Sequence, residues 1–315
     1  MKRYTHAVRP PLRGESAVLG VWHGKPRFQV PRGACDCHVH VFGPRDRYPL
    51  ADDRTFAPGI ASVQDIVAVH RRLGIERVVL VQASPQGTDN SCVIDALKEL
   101  QELGRDARAV VVLPDAAVSM SELEALHRVG VRGLRVNLQS YGRTDPEQAS
   151  RRLRQAGELA ARMGWHVQVY TTLSVIDAIT DSIARLPVPL VVDHFALADP
   201  AAGLLQPGLL NLVKLVREGG VYVKLSAPYR IVDRVDGQDG ALIARTLIDA
   251  NPARMLWGTD WPHTGPWPDL PRDRDGAEPF HPIDDGAQLD IFGSWTSSAE
   301  RLQILVDNAA RLYGF

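Results

Sequence analysis

Eight short apolar segments, alternating with amphipathic stretches, dominate this 315-residue sequence. Most of these segments are continuous in hydrophobic residues, as strands covered on both faces of a parallel sheet require. The repeated strand–helix order predicts an α/β fold, and eight repeats predict closure into a (β/α)8 barrel. The predicted strands span residues 35–42, 77–82, 107–113, 133–137, 166–170, 189–194, 221–226 and 255–260. The predicted helices span residues 62–74, 91–104, 120–130, 147–164, 174–186, 209–219, 241–251 and 297–313.

A doubly wound open sheet is the alternative fold for such a repeat. It usually has a glycine-rich phosphate loop after its first strand, whereas here Gly43 stands alone. We therefore predict one distorted TIM barrel over residues 35–315. Residues 1–34 contain four prolines and are predicted to form an N-terminal arm over the barrel or over a neighbouring subunit. Residues 264–295 are predicted to form a long loop after strand eight, either a lid over the site or an oligomer contact.

The charge balance and the cysteine count narrow the class of protein. The formal net charge is -1 at pH 7, so the sequence predicts neither a nucleic-acid nor a membrane partner. No apolar run approaches the roughly 18 residues of a membrane-spanning helix. The three cysteines, Cys35, Cys37 and Cys92, argue against a disulfide framework and favour a reducing compartment. We therefore predict a cytoplasmic monomer or homodimer that acts on a small molecule.

Two histidines stand at alternate positions of the first predicted strand. Because successive side chains of a strand point to opposite faces, His38 and His40 point the same way. Imidazoles in such a pair can bind a metal ion or polarise a carbonyl group. The alternative is a pair of buried, hydrogen-bonded histidines with a purely structural role.

Polar residues stand at or just after the ends of most of the predicted strands. In a (β/α)8 barrel these ends meet at one face, where active sites lie. Buried polar groups in such number need partners, which favours a site over a purely structural barrel. His263 is a weaker candidate, and His70 and His127 are expected on exposed or half-exposed helix faces. The strand-end residues are His38, His40, Gln82, Ser84, Arg135, Asn137, Tyr170, His194, Lys224, Ser226, Arg230 and Asp260.

The order of these residues resembles a known enzyme superfamily. His38 and His40 after strand one, His194 after strand six and Asp260 after strand eight are similar to the amidohydrolase pattern. Five longer motifs are DCHVHVFGP (36–44), VQAS (81–84), GLRVN (133–137), VDH (192–194) and WGTDWPH (257–263). Together they resemble the branch that contains 2-pyrone-4,6-dicarboxylate lactonase, sulfomuconolactone hydrolases and a galactarolactone isomerase.

This resemblance implies a role for each matching residue. The four residues that surround the lactone carbonyl in the family correspond to Asp260, His38, His40 and His194. The groups that hold the substrate anion correspond to Arg135, Arg230 and Tyr170, with Ser84 nearby, and Gln82 and Arg143 are further candidate binders. Two departures from the family pattern are Phe56, where the lactonase has a tyrosine, and Arg143, which follows Arg135 after a longer loop.

The resemblance also bears on the cofactor. Metal-dependent members usually add a lysine or glutamate on strand four or a histidine on strand five, where this chain has Arg135, Asn137 and Tyr170. Arginine cannot ligate a metal and tyrosine rarely does, so we predict no metal cofactor. If a single divalent ion such as zinc binds, we expect His38, His40, His194 and Asp260 to hold it.

The predicted activity is hydrolysis of a small anionic lactone, carboxylated or sulfonated, from aromatic or sugar-acid catabolism. Asp260 would act as the general base on water, while the histidines polarise the carbonyl. Three alternatives remain at this stage: a lactone isomerase, a metal-dependent amidohydrolase or decarboxylase, and a non-catalytic ligand-binding barrel.

Overall fold

The computed structural model describes residues 23–114, 118–231, 240–267 and 271–315. Its central feature is a parallel sheet of eight strands in which every strand pairs with the next one along the chain. This order is that of a barrel built from successive strand–helix units. The strands are β1 (Cys35–Val39), β2 (Arg77–Val81), β3 (Asp106–Val111), β4 (Val131–Asn137), β5 (His166–Tyr170), β6 (Leu190–Val192), β7 (Val221–Ser226) and β8 (Met255–Gly258).

The barrel closes where the first and last strands meet. The amide of His40 donates to the carbonyl of Trp261 at 2.8 Å, and the amide of Asp260 donates to the carbonyl of His38 at 3.0 Å. A parallel bridge between Val39 and Trp261 lies between these two bonds. The predicted (β/α)8 barrel is therefore confirmed, and its seam lies beside the strand ends that carry His38, His40 and Asp260.

Helices follow the strands and cover the outside of the barrel. Serine is a favoured residue at the start of a helix, and Ser62 caps the first helix here: its hydroxyl accepts from the amide of Asp65. The predicted helix over 174–186 is two short helices, and a π-helical turn at Gln303–Asp307 interrupts the last one. The helices are α1 (Val63–Leu73), α2 (Ser91–Glu102), α3 (Met120–Val129), α4 (Pro146–Ala161), α5 (Leu173–Ala178), α6 (Thr180–Ala184), α7 (Leu209–Arg217), α8 (Ala241–Ala250), α9 (Asp285–Trp295), α10 (Ser298–Leu302) and α11 (Asn308–Tyr313).

None of the described helices combines the length and the apolarity that crossing a bilayer requires. The core lies between the sheet and these helices, where valine, leucine and isoleucine side chains from both layers are fully buried. A second, smaller group of buried side chains fills the bottom of the barrel, around Cys35, Cys37 and Tyr313. The polar strand ends therefore lie at the opposite, open end.

The prediction of a long loop over 264–295 is wrong in part. Helix α9 occupies its last third, where Asp284 caps the first turn by accepting from the amide of Gly286 at 2.9 Å. Earlier in the segment, Ala277–Glu278 pairs in parallel with Ala57–Pro58. Phe280 is buried and stacks on Phe42, with the ring centroids 6.1 Å apart. A role of this segment as a lid or an oligomer contact stays a prediction.

The described part of the predicted N-terminal arm, residues 23–34, lies against α9 and the end of α1. The amide of Gly24 donates to Asp284 Oδ1 at 2.7 Å, and the amide of Arg27 donates to Asp290 Oδ1 at 2.6 Å. The amide of Gly33 donates to Glu76 Oε2 at 2.8 Å. Residues 1–22 lie outside the described residues, and the boundary between arm and barrel at residue 34 stays a prediction.

The Asp36 carboxylate ties the two seam strands together. Its Oδ1 accepts from the amides of Thr259 at 3.0 Å and His38 at 3.2 Å. Its Oδ2 accepts from the Thr259 hydroxyl at 2.6 Å and lies 3.1 Å from His70 Nε2. The expectation that His70 lies on an exposed face is therefore wrong, because this inward carboxylate supplies a buried hydrogen-bond partner for it. Asp36 fixes the register on which the site depends.

Replacing Asp36 with asparagine tests this role. An amide cannot accept from all four donors, so at least one buried donor loses its partner, which costs about 2–4 kcal/mol. We expect the free energy of unfolding, measured in urea, to fall by that amount. The exposed Asp52 is the matched control, and Asp52→Asn should change stability by less than about 0.5 kcal/mol. Equal stability of Asp36→Asn and wild type would contradict the assignment.

Candidate active site

Three histidines and one aspartate converge at the open end of the barrel. The Oδ1 atom of Asp260 lies 3.6 Å from His38 Nε2, 3.7 Å from His40 Nε2 and 3.6 Å from His194 Nε2. All four side chains are buried. The four residues that the sequence singled out as catalytic therefore lie in one place, and they are called the histidine–aspartate cluster below.

The backbone at two of these residues adopts an unusual conformation. His194 begins a left-handed turn in which four successive residues, His194 to Leu197, have φ between 50° and 57°. Asp260 has φ 64°. Positive φ at a residue other than glycine costs on the order of 1 kcal/mol or more, and such strain concentrates at functional sites. The turn after β6 and the bend after β8 thus aim the two side chains at the barrel axis.

The second oxygen of Asp260 is held by two residues after β7. Asp260 Oδ2 accepts from the Tyr229 hydroxyl at 2.6 Å, from Arg230 Nε at 2.7 Å and from Arg230 Nη2 at 2.6 Å. Burial raises the pKa of Asp260, but the Arg230 guanidinium is the strongest of the groups that lower it; the net pKa is depressed, so the carboxyl stays ionised. The structure thus places Arg230, predicted to bind substrate, on the candidate base.

Tyr229 is a residue that the sequence analysis missed. It follows strand seven directly before Arg230, and burial with a neighbouring carboxylate raises its pKa well above the usual range. Its ring also contacts His263 edge-on, with the centroids 5.7 Å apart. The weaker candidate His263 does not join the cluster. Its Nε2 lies 3.2 Å from Asp285 Oδ2, at the start of α9.

The histidines of the cluster are neutral at pH 7. Burial lowers the pKa of His40 to about 3 and that of His194 to about 4, and it lowers the pKa of His38 well below its usual value. The Nδ1 atom of His40 lies 2.7 Å from the carbonyl of Val81, which can only accept. His40 Nδ1 therefore carries the hydrogen, and its Nε2 presents a lone pair to the cluster. His194 Nδ1 lies 2.8 Å from the Ser226 hydroxyl.

Lys224 lies beneath the cluster and points into the barrel. Its Nζ is 2.8 Å from Gln168 Oε1, 3.1 Å from His38 Nδ1 and 3.4 Å from Asp193 Oδ1. Asp193 and Gln168 were not predicted as site residues. Because Asp193 directly precedes His194 and Gln168 lies on β5 at the alternate position from Tyr170, their strand positions are the signals that could have found them.

The remaining predicted binders lie around one side of the cluster. Arg135 Nη1 donates to the carbonyl of Gln82 at 2.7 Å, and Arg135 Nη2 lies 3.7 Å from Asp193 Oδ2. The Arg135 guanidinium lies 5.9 Å from the centre of the Tyr170 ring. That ring contacts His194 edge-on, at 5.4 Å between centroids. Arg135 and Tyr170 thus lie next to the cluster.

Three other predicted residues have mainly local contacts. Gln82 Nε2 donates to the carbonyl of Asp89 at 2.8 Å and so braces the loop after β2. Asn137 accepts from the amide of Ser140 at 3.0 Å and closes a turn after β4. The Arg143 guanidinium lies over the Tyr141 ring, 4.5 Å from its centre, and the Tyr141 hydroxyl donates to the carbonyl of Ser84 at 3.1 Å.

A cavity of about 960 Å³ opens beside these binders. Gln82, Ser84, Arg135 and Arg143 line it, whereas the histidine–aspartate cluster does not. We place the chemistry at the cluster because the ionised carboxylate and the neutral imidazoles are there. The cavity lies beside Arg135, whose guanidinium also contacts Asp193.

The spacing of the cluster is that of a metal site, but its hydrogen bonding is not. The ligand atoms of His38, His40 and Asp260 lie within 4.8 Å of one another, and four ligands of zinc lie about 3.3–3.4 Å apart. A metal ligand needs a lone pair, however, and His38 Nδ1 lies 3.1 Å from the Lys224 ammonium, which can only donate, and 3.3 Å from Asp193 Oδ1, which can only accept. Arg230 also occupies the other oxygen of Asp260. The cluster therefore has ligand atoms at the spacing of a metal site, while Lys224 and Arg230 compete with a metal ion for two of its side chains.

The buried imidazoles predict a fall in stability on mild acidification. The pKa of His40, His194 and His166 is about 3 to 4 in the folded chain, compared with about 6.5 when exposed. Between about pH 6.5 and 4 the unfolded chain binds more protons, so stability is full above this window and is lost as the pH falls through it. The slope approaches about 1.4 kcal/mol per pH unit for each histidine. Urea unfolding from pH 7.5 to 4.5 measures it, and an unchanged free energy between pH 7 and 5 would contradict it.

Comparison with known proteins identifies the family of this chain. The amidohydrolase family model matches residues 35–315. The chain is 35% identical over 300 residues to a 2-pyrone-4,6-dicarboxylate hydrolase of Comamonas testosteroni, covering 92% of each chain. It is 33% identical to a 4-sulfomuconolactone hydrolase of Hydrogenophaga intermedia over 293 residues, covering 91% of each chain. A crystal structure of a 2-pyrone-4,6-dicarboxylic acid hydrolase assigned in Pseudomonas putida superposes with a TM-score of 0.74 at 30% identity, over 91% of this chain and 98% of that one. The chain therefore belongs to the amidohydrolase family.

Proposed function

We propose that this chain hydrolyses a small anionic lactone. The observation that carries the proposal is the ionised Asp260 carboxylate, whose Oδ1 faces three neutral imidazoles and has no hydrogen-bond partner among the described residues. Such an oxygen is available to accept a proton from water. The two curated relatives that are 35% and 33% identical carry the names of lactone hydrolases, which supports the same reaction.

The charges around the cluster favour an anionic substrate. Three cationic side chains contact the two buried carboxylates: Lys224 and Arg135 contact Asp193, and Arg230 contacts Asp260. With the imidazoles neutral, these three cations outnumber Asp193 and Asp260 by one, and Arg135 lies on the side of the candidate binders. A carboxylate or sulfonate on the substrate would balance the extra cation, and Arg135 is placed to form a two-pronged contact with such a group.

The mechanism follows from the protonation of each group. A water molecule donates one hydrogen to Asp260 Oδ1 and the other to the lone pair of His40 Nε2. As its oxygen bonds to the lactone carbonyl carbon, Asp260 takes a proton and the carbonyl oxygen becomes an oxyanion. The Nε2–H group of His38 donates to that oxyanion. The ring C–O bond then breaks, and the leaving oxygen takes the proton back from Asp260, which yields the ring-opened acid.

The low pKa of Asp260 limits how much the general base contributes to the rate acceleration. It keeps the base ionised at every ordinary pH, but a carboxylate of low pKa is also a weak base. Stabilisation of the oxyanion by preorganised donors must therefore supply much of the acceleration, at about 3–4 kcal/mol for each donor.

Asp260→Asn tests the assigned base. An amide cannot accept the proton of water, so we expect kcat on a carboxylated or sulfonated lactone to fall by about 10³-fold or more, with substrate binding retained. Release of acid, followed with a pH indicator, measures the rate. Asp285→Asn is the matched control, because Asp285 is also a buried carboxylate beside a histidine but does not contact the cluster. Wild-type turnover in Asp260→Asn would remove Asp260 from this role.

The same assay separates hydrolysis from the alternative, a lactone isomerase. Hydrolysis releases one equivalent of acid and opens the ring, whereas isomerisation moves the acyl group between hydroxyls and releases none. Product analysis by NMR therefore decides between them. Formation of a second lactone with no acid release would replace the proposed reaction.

Arg135→Met tests recognition of the anion. Loss of a charge-assisted contact worth about 1.5–3 kcal/mol should raise KM for an anionic lactone by about 10- to 100-fold. The KM for the corresponding neutral methyl ester should change little. Arg132→Met is the matched control, since Arg132 lies at the opposite end of β4 and donates to the carbonyl of His127 at 2.9 Å. An equal rise in KM for charged and neutral substrates would show that Arg135 does not recognise charge.

A further inference from the structure

Lys224 is fully buried, and its ammonium group lies beside two hydrogen-bond acceptors and one carboxylate oxygen. The three nearest acceptors are Gln168 Oε1 at 2.8 Å, His38 Nδ1 at 3.1 Å and Asp193 Oδ1 at 3.4 Å. An ammonium group has three donors and no lone pair, so this environment matches the charged form. Burial lowers the pKa of Lys224, and the Asp193 carboxylate acts against that change. The mechanism above does not bring Lys224 into contact with substrate.

The Nδ1 atom of His38 lies close to one hydrogen-bond donor and one hydrogen-bond acceptor. Lys224 Nζ, at 3.1 Å, can only donate to it, whereas the ionised Asp193 Oδ1, at 3.3 Å, can only accept from it. A neutral imidazole has one hydrogen, so only one of these contacts can be a hydrogen bond. The shorter contact is with Lys224, and it leaves the hydrogen of His38 on Nε2.

The neighbouring histidine has the complementary arrangement. His40 Nε2 presents a lone pair, because its Nδ1 donates to the carbonyl of Val81 at 2.7 Å. The Nε2 atoms of His38 and His40 are 3.3 Å apart, so a donor faces an acceptor. If His38 instead carried its hydrogen on Nδ1, two lone pairs would face each other at this distance. The pair of imidazoles therefore supports the same assignment independently of Lys224.

We propose that Lys224 is a positioning residue that holds His38 with its hydrogen on Nε2, so that the cluster binds an oxyanion and not a metal ion. The proposal rests on the proposed function only for the identity of the oxyanion. Without Lys224, His38 Nδ1 would donate to Asp193 Oδ1, and a carboxylate–histidine pair would leave Nε2 as a metal ligand. The barrel interior would also carry one positive charge fewer.

The hydrogen position in the wild-type protein is the direct test. Long-range proton–nitrogen NMR of ¹⁵N-histidine-labelled protein separates the two neutral forms of an imidazole, and His38 is assigned by the signal lost in His38→Gln. We expect the hydrogen on Nε2 in the wild type. A hydrogen on Nδ1, or on both nitrogens at pH 7, would overturn the proposal whether or not any variant folds.

Zinc affinity is the second readout, measured by competition with a chromophoric chelator. We expect Lys224→Met to bind zinc about 10- to 100-fold more tightly than the wild type, the size of effect that such outer contacts have on metal affinity. Arg135→Met is the matched control, because it removes a cation from Asp193 without touching His38. We expect its zinc affinity to stay within about threefold of the wild type. An equal gain in both variants would show that charge alone acts, and no gain in Lys224→Met would exclude the positioning role.

Neither measurement uses a substrate, so their outcomes separate from those of the lactonase assays. A chain that hydrolyses no lactone but carries the hydrogen on His38 Nε2 would retain the Lys224 assignment and lose the proposed reaction. A chain that hydrolyses lactones with the hydrogen on Nδ1 would do the reverse.

Discussion

The hydrogen bonds of one buried carboxylate hold together the two strands on which the site depends. Asp36 accepts from the backbone and hydroxyl of Thr259, and so joins the first strand to the end of the last one. Strand β1 carries His38 and His40, and the bend after β8 carries Asp260. Because a parallel register that slips by one residue reverses every side chain, this seam decides whether the four groups face the axis. His70 supports the carboxylate from helix α1 and extends the constraint to the outer layer.

Buried charge is the second constraint. A lone ion in this interior would lose several kcal/mol of hydration, so Asp193 and Asp260 lie beside cations and these cations lie beside acceptors. Asp193 contacts Lys224 and Arg135, while Asp260 contacts Arg230. The cations Lys224, Arg135 and Arg230 together favour an anion at the barrel mouth. The same cations would repel a divalent ion, although the spacing of the ligand atoms suits one.

The backbone conformation also fixes the direction of two side chains at the barrel mouth. The left-handed turn from His194 to Leu197 and the positive φ of Asp260 are unfavourable for these residues and are tolerated because the surrounding packing determines them. Phe195 and Ala196, within that turn, are completely buried. Core packing thus offsets this backbone strain and holds the His194 and Asp260 side chains 3.6 Å apart.

The sequence by itself determined the repeat, the barrel and the residue types at the strand ends. Apolar runs of strand length and capped amphipathic helices are local signals, so the eight units and the capping by Ser62 could be read directly. The same rule located His38, His40, His194 and Asp260, since strand ends of a parallel barrel must meet. Family resemblance added the expected chemistry.

Only the tertiary structure decided how these groups pair. Tyr229 was missed because nothing in its local sequence distinguishes a hydroxyl beside Asp260 from one in solvent. The strand position of Asp193 indicates the barrel mouth, but only the structure shows that its carboxylate pairs with Lys224 and Arg135. His70 was assigned to the surface because its partner, Asp36, is 34 positions away in the chain. Hydrogen-bond partners and pKa values depend on burial and on contacts between distant segments. The sequence therefore determines which residues form the site, whereas the closed barrel determines which of their atoms carry hydrogens.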